Sequence, residues 1–184
     1  MAAITDAHIH IQPFEMMPPA VAATFWKGKS NRAELEGYAA DPRRLLARMD
    51  EDGVARVGLI NYVSPDLMGF TDAANAWMVK YASADPSRLI AFGSVNPRFT
   101  TDPAGDTARV IDNGARALKV HPPHQLFRAN AYQDTLPGLA RSTASPRMPA
   151  CPSPSTPARR SFPARAAASA TRWTSTTWRS IFRG

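Results

Sequence analysis

Three side chains near the start of the chain could do chemistry together. Asp6, His8 and His10 alternate with Ala7, Ile9 and Ile11, and on a strand, whose side chains have a period of two, they project to one side. Two imidazoles separated by a single residue can converge on one divalent ion, with Zn–N bonds of about 2.0–2.1 Å. The carboxylate of Asp6 could stand behind them as a hydrogen-bond acceptor that orients an imidazole. A His-x-His taken alone is equally compatible with paired surface or core histidines on an edge strand. Lys119 and His121 share a second strand face, with His124 shortly after. A solvated loop histidine is the plain alternative for His121, and more so for His124.

These residues need a scaffold, and residues 1–139 read as one built from alternating strands and helices. Ile4 to Ile11 has strand character. Residues 12–40 form a long connection rich in Pro, Met and aromatics. Asp41-Pro42 then starts a helix, with Asp as N-cap and Pro in the first turn. Leu45, Leu46 and Met49 lie on one face of that helix, and Gly53 is its stop. Val54 to Val63 is a second strand, and Thr71-Asp72 opens a second helix whose apolar stripe includes Trp77, Met78 and Tyr81. Leu89 to Val95 is apolar almost throughout, as suits a strand of a parallel sheet buried on both faces. Residues 103–113 form a third helix closed by Asn113-Gly114, and Ala115 to His121 a fourth strand. A further helix starts near Tyr132. The order βαβαβαβ predicts a parallel sheet, and a parallel barrel carries its active site at the C-terminal ends of its strands.

With Thr5 in front of it, the opening segment resembles the amidohydrolase superfamily, whose first strand ends in His-x-His. The likeness is closer to the amidohydrolase-related branch that includes the aminocarboxymuconate-semialdehyde decarboxylase group. It is carried by Thr5-Asp6-Ala7-His8-Ile9-His10, by Gly53-Val54, by Phe92-Gly93-Ser94-Val95-Asn96-Pro97 and by Ala117-Leu118-Lys119-Val120-His121-Pro122. The resemblance implies a distorted (β/α)8 barrel in which His8 and His10 ligate a divalent ion, usually zinc. Such an ion polarises a substrate oxygen and lowers the pKa of bound water, for hydrolysis or for nonoxidative decarboxylation of a small carboxylated or aromatic substrate. It also implies a histidine on strand five, often another on strand six, and an aspartate on strand eight that handles protons. The sequence as written has no counterpart for these, so the catalytic residue is unassigned. Dinuclear relatives bridge two metals with a carboxylated lysine on strand four, but this branch generally does without it. Lys119 and His121 are therefore expected to contact an acidic substrate.

A barrel of this kind needs about 250 residues, and this sequence of 184 changes character near residue 140. All 15 acids lie at or before Asp134, and residues 1–134 carry a balance of −1. Residues 135–184 hold 8 arginines, no lysine and no acid. Composed of Arg, Ala, Ser, Thr and Pro, residues 140–184 lack the apolar surface to offset their ordering entropy. Taking the third base of each codon with the first two of the next permits a different text. One such reading from Ser155 to Arg183 begins His-Thr-Gly and continues with frequent acids, like the strand-five region of the family. A slip of frame near the codons of Leu139 to Arg141 accounts for the change. The competing account is a basic tail that binds nucleic acid through phosphate contacts, with Trp173 and Trp178 stacking on bases; dispersed arginines and the lack of lysine speak against it.

The expectations are therefore an α/β fold, the N-terminal half of a distorted barrel over residues 1–139, and a disordered or misread tail over 140–184. No apolar run reaches the roughly 20 residues of a membrane span, there is no secretory leader pattern, and the lone Cys151 gives no disulfide framework. A cytoplasmic protein acting on a small molecule follows. Two ligands from one strand do not close a site of three to four ligands, so little or no activity is expected of the sequence as written. Half a barrel leaves a strand edge open to self-association or aggregation.

Overall fold

The computed structural model describes residues 4–138. The out-of-frame and nucleic-acid readings of residues 140–184 fall outside them.

Four strands form one sheet in the order β1-β2-β3-β4, every neighbouring pair parallel. They are β1 (Ile4–His10), β2 (Val54–Ile60), β3 (Leu89–Gly93) and β4 (Ala117–Leu118). Helices α1 (Pro19–Trp26), α2 (Arg32–Ala40) and α3 (Pro42–Glu51) separate the first two strands. Then α4 (Pro65–Met68) and α5 (Ala73–Ala82) lead to β3, and α6 (Pro103–Asp112) leads to β4. The result is a parallel half-barrel sheet packed with helices. Among the described residues, β1 and β4 each pair on one side only. No helix among them is long and apolar enough to cross a membrane.

Local chemistry explains most of the boundaries. The Asp41 carboxylate accepts from the Arg43 backbone N–H at 3.0 Å and Pro42 occupies the first turn of α3, satisfying an amide that the helix cannot. Gly53, at φ +67°, turns the chain from α3 into β2 in the left-handed region that favours glycine. Asp102 caps α6 in the same way, accepting from the Gly105 N–H at 3.0 Å.

The core lies between the sheet and the helices. Ile9, Val57, Leu59, Leu89 and Ala91 from the strands meet Leu45 and Met49 of α3 and Met78 and Tyr81 of α5. Each of these large apolar side chains contributes about 1.5–3 kcal/mol by leaving water. The Tyr81 hydroxyl is satisfied inside this layer by donating to the Tyr38 carbonyl at 2.7 Å. A second cluster of Met17, Phe70 and Ala74, joined by Phe14, Phe25 and Met68, packs the connection after β1 against the segment after β2.

Three sequence expectations change. The connection 12–40 is mostly helical, because Pro19 starts α1 and the following Ala-Val-Ala-Ala favours a helix despite the aromatics around it. The fourth strand pairs only over Ala117–Leu118, although the Lys119 N–H still reaches the Gly93 carbonyl at 2.7 Å. Pro122 and Pro123 have no N–H with which to prolong the ladder. Near Tyr132 the structure has a 3-10 turn, Ala131–Gln133, and helical backbone is reached only at Gly138, the last of the described residues.

Candidate functional site

All four histidines of the sequence gather at the C-terminal end of the sheet, around Tyr62. The first pair owes its arrangement to a bulge in β1. Asp6 lies opposite Val57 and Ile9 opposite Leu59, so Ala7 and His8 together face the single residue Gly58. Such a bulge re-aims side chains. The neighbouring backbone comes so close that a Cβ on Gly58 would stand 2.5 Å from the Ala7 carbonyl oxygen. The bulge also breaks the simple alternation expected for this strand. His10 keeps the face opposite to Ile9, while Asp6, in register with the core residue Val57, falls out of it. The Asp6 carboxylate accepts from the His8 backbone N–H at 2.9 Å, so its part here is to hold the bulge.

The two imidazoles meet edge to edge. Their Nε2 atoms are 3.1 Å apart, with ring centroids at 5.0 Å and planes tilted by 54°. Two nitrogens on a tetrahedral ion with bonds of about 2.0–2.1 Å would stand about 3.3 Å apart, so the spacing fits a shared ion. His10 is pushed down to about 4, first by burial and then by the positive neighbours His8, Lys119, His121 and His124. It is neutral at pH 7, the form in which a ring nitrogen can ligate. Its Nδ1 is buried without a hydrogen-bond partner. Among the described residues, no group of three or more His, Cys, Asp or Glu is placed to hold a metal ion. The residues therefore fit two positions of a metal's shell.

His121 and His124 are arranged differently. Their rings stack at 4.2 Å with planes 11° apart, so their lone pairs run side by side instead of converging. Burial, then His124 and Lys119, lowers the His121 pKa. Tyr62 links the two pairs: its hydroxyl is hydrogen-bonded to His124 Nδ1, and its ring meets His121 at 5.0 Å and His10 at 6.1 Å. Burial pushes the phenol up to about 12, so it is a neutral O–H at every ordinary pH. Lys119, expected on this face, is half-buried and close enough to disfavour protonation of both His10 and His121.

The second pair is positioned by Gln125, which is fully buried. Its Oε1 accepts from the His121 N–H at 2.8 Å, and its Nε2 lies 3.1 Å from the Val63 and Val95 carbonyls and 3.3 Å from Ser94 Oγ. One side chain thus joins the segments after β2, β3 and β4. The next residue, Leu126, sits at φ +58°, a left-handed conformation that costs a non-glycine residue roughly 1–2 kcal/mol. Below, Asn75 of α5 clasps Ser94 by donating to its carbonyl at 2.9 Å and accepting from its N–H at 2.8 Å.

Beside the histidines opens a pocket of about 270 Å³ whose lining includes His10, Gln12, Phe14, Phe25, Tyr62 and His124. Sequence reasoning missed Tyr62, Gln12 and Gln125. The first could have been found from its place just beyond the C-terminal end of strand two, where a parallel barrel keeps its site. Nothing in the spacing of either glutamine marks it out. No protein-family model, curated protein or solved structure matches the chain.

Proposed function

We propose that the sheet mouth is the strand-one to strand-four part of the active centre of a metal-dependent hydrolase of amidohydrolase type. His8 and His10 would be two ligands of a divalent ion, zinc by preference for imidazole nitrogen. The observation that carries this reading is the 3.1 Å approach of their Nε2 atoms on the bulged end of a parallel strand. When bound, such an ion supplies Lewis-acid polarisation and a more acidic water. Lys119 and His121 would meet the acidic part of a small carboxylated or aromatic substrate. A decarboxylase of such a substrate is the second reading, favoured by a lysine and four imidazoles at the mouth. With two imidazoles and no third donor, the described residues are expected to bind the ion weakly and not to turn substrate over.

An imidazole–imidazole hydrogen bond gives the same spacing, and a metal titration separates the two. Calorimetry of chelator-stripped protein with Zn²⁺ should find one weak, EDTA-reversible equivalent that disappears in His8→Ala/His10→Ala. Unchanged stoichiometry in the double variant would remove the assignment.

A further inference from the structure

Tyr62 and His124 meet at the sheet mouth across 62 positions of sequence, hydroxyl to Nδ1. Hydrogen-bond capacity decides which of the two donates. Tyr62 is 4% exposed, and among the described residues its hydroxyl has no other partner. If His124 Nδ1 carried a proton and donated it, the phenol proton would be buried without an acceptor, which folded interiors avoid. The hydroxyl therefore donates and Nδ1 accepts. Burial keeps this phenol protonated, so the donor persists. A neutral imidazole has one N–H, and in His124 it must sit on Nε2. A doubly protonated ring is disfavoured by the same count, because its Nδ1–H would displace the phenol proton. Nε2 lies on the ring edge that the protein leaves open. His121 covers one face of the ring, stacked at 4.2 Å with planes 11° apart, and Tyr62 engages Nδ1. His10 Nδ1 and His121 Nδ1 are buried without partners, but His124 Nε2 is not, so an atom the size of a water oxygen can reach it.

We propose that His124 is a hydrogen-bond donor of the site, its Nε2–H donating to a carbonyl or carboxylate oxygen of a ligand at the sheet mouth, with Tyr62 as the positioning residue that fixes its tautomer. This reading takes the mouth as the ligand-binding end of the proposed metal site, and it adds a donor that the His8–His10 pair does not supply. A neutral imidazole aimed at an oxygen stabilises charge that develops there while carrying none itself. The contact is a hydrogen bond, and no proton leaves His124. Tyr62 acts only through the ring it holds: without its hydroxyl, the proton is free to sit on either nitrogen.

The tautomer can be read on the full 184-residue chain with metal removed and the histidine ring nitrogens labelled. Long-range proton–nitrogen NMR correlations at about pH 8.5, roughly two units above the ordinary imidazole value, should place the His124 proton on Nε2. A proton on Nδ1, or an even mixture of tautomers, would overturn the proposal without any variant having to fold. In Tyr62→Phe, which keeps the ring and removes the hydroxyl, the pattern should relax toward a mixture; an unchanged pattern would remove Tyr62 from its role. Acetophenone and α-methylstyrene, alike in shape but carrying C=O and C=CH2 at the same place, test the use of the donor. His124→Phe should lower the acetophenone affinity, relative to that for α-methylstyrene, by about tenfold, the scale of one hydrogen bond. The carbonyl stretch of the bound ketone should rise in that variant toward its value in an apolar solvent. An unchanged affinity ratio, a stretch already at the apolar value on the unaltered chain, or no binding of acetophenone would overturn the ligand role. Zinc failure with the tautomer and carbonyl shift intact counts against the metal assignment alone. Zinc binding with the His124 proton on Nδ1 counts against this proposal alone.

Discussion

Replacing Gln125 by methionine should destabilise the described domain by about 3 kcal/mol. The side chain fills a fully buried position, and methionine keeps its length and volume, so the cost is almost wholly one of hydrogen bonding. Four polar groups surround the amide, but an NH2 has two protons, so at most two of its three donor contacts act at full strength. The Val63 carbonyl retains the Asn96 side-chain amide at 3.2 Å. The His121 N–H and the Val95 carbonyl lose the partner that Gln125 gave them. Each orphaned buried group costs about 1–3 kcal/mol, which sets the span at roughly 2–6 kcal/mol, and removal of the amide's own desolvation returns part of it. Urea unfolding should show the loss as a lower midpoint at unchanged slope, because the same surface is exposed on unfolding. In the variant at low denaturant, the imidazole resonances of His121 and His124 should shift as their stack loosens, while those of His8 and His10 hold. A loss below about 1 kcal/mol, or a larger loss with all four imidazoles unmoved, would refute the view that one amide ties the mouth together.

Gly58→Ala places a Cβ against the Ala7 carbonyl, and overpacking of this kind costs about 1–3 kcal/mol. Because the clash falls on the bulge that aims His8, zinc affinity should drop as well, and retained affinity would show that the bulge does not set the pair. Leu126→Gly should raise the urea midpoint by about 0.5–1 kcal/mol of stability, since the side chain is exposed and the left-handed backbone is relieved; a loss would deny the strain. For pH, His10 lies below its ordinary value in the fold, at about 4 against 6.5, so the unfolded chain takes up the proton first. Stability present above pH 6.5 is then lost as pH falls toward 4, by up to ~3 kcal/mol from this group. His10→Asn should flatten that slope in midpoint-against-pH curves, and an unchanged slope would place the titration elsewhere.

The scaffold was largely legible because its signals are local. Asp41-Pro42 with Leu45 and Met49 marks α3 through its cap and its apolar spacing, and the apolar run at Leu89 marks β3. His8 and His10 were legible for the same reason, as a pair two residues apart. What stayed hidden depends on partners distant in the chain. The bulge exists because Gly58 lets two backbones approach, and neither segment announces it alone. Gln125 reads as an ordinary loop glutamine until β2 and β3 bring Val63 and Val95 beneath it. The helices of the 12–40 connection were masked by Pro and aromatic residues whose apolar faces serve the pocket and the second cluster rather than a regular stripe.

The two halves of the site differ in how they must form. His8 and His10 are two residues apart and are aimed by a single pairing, that of β1 with β2 through the bulge opposite Gly58, whereas the stacked pair also needs the segments after β3 and β4. The hydrogen bonds from Gln125 to Val63 and from Tyr62 to His124 each span 62 positions, and contacts of that separation are slow because loop closure must precede them. Folding should therefore deliver the His8–His10 pair first and the stacked His121–His124 pair last. In a refolding jump the His121 and His124 signals should arrive after those of His8 and His10; simultaneous arrival would mean that the mouth condenses in one step.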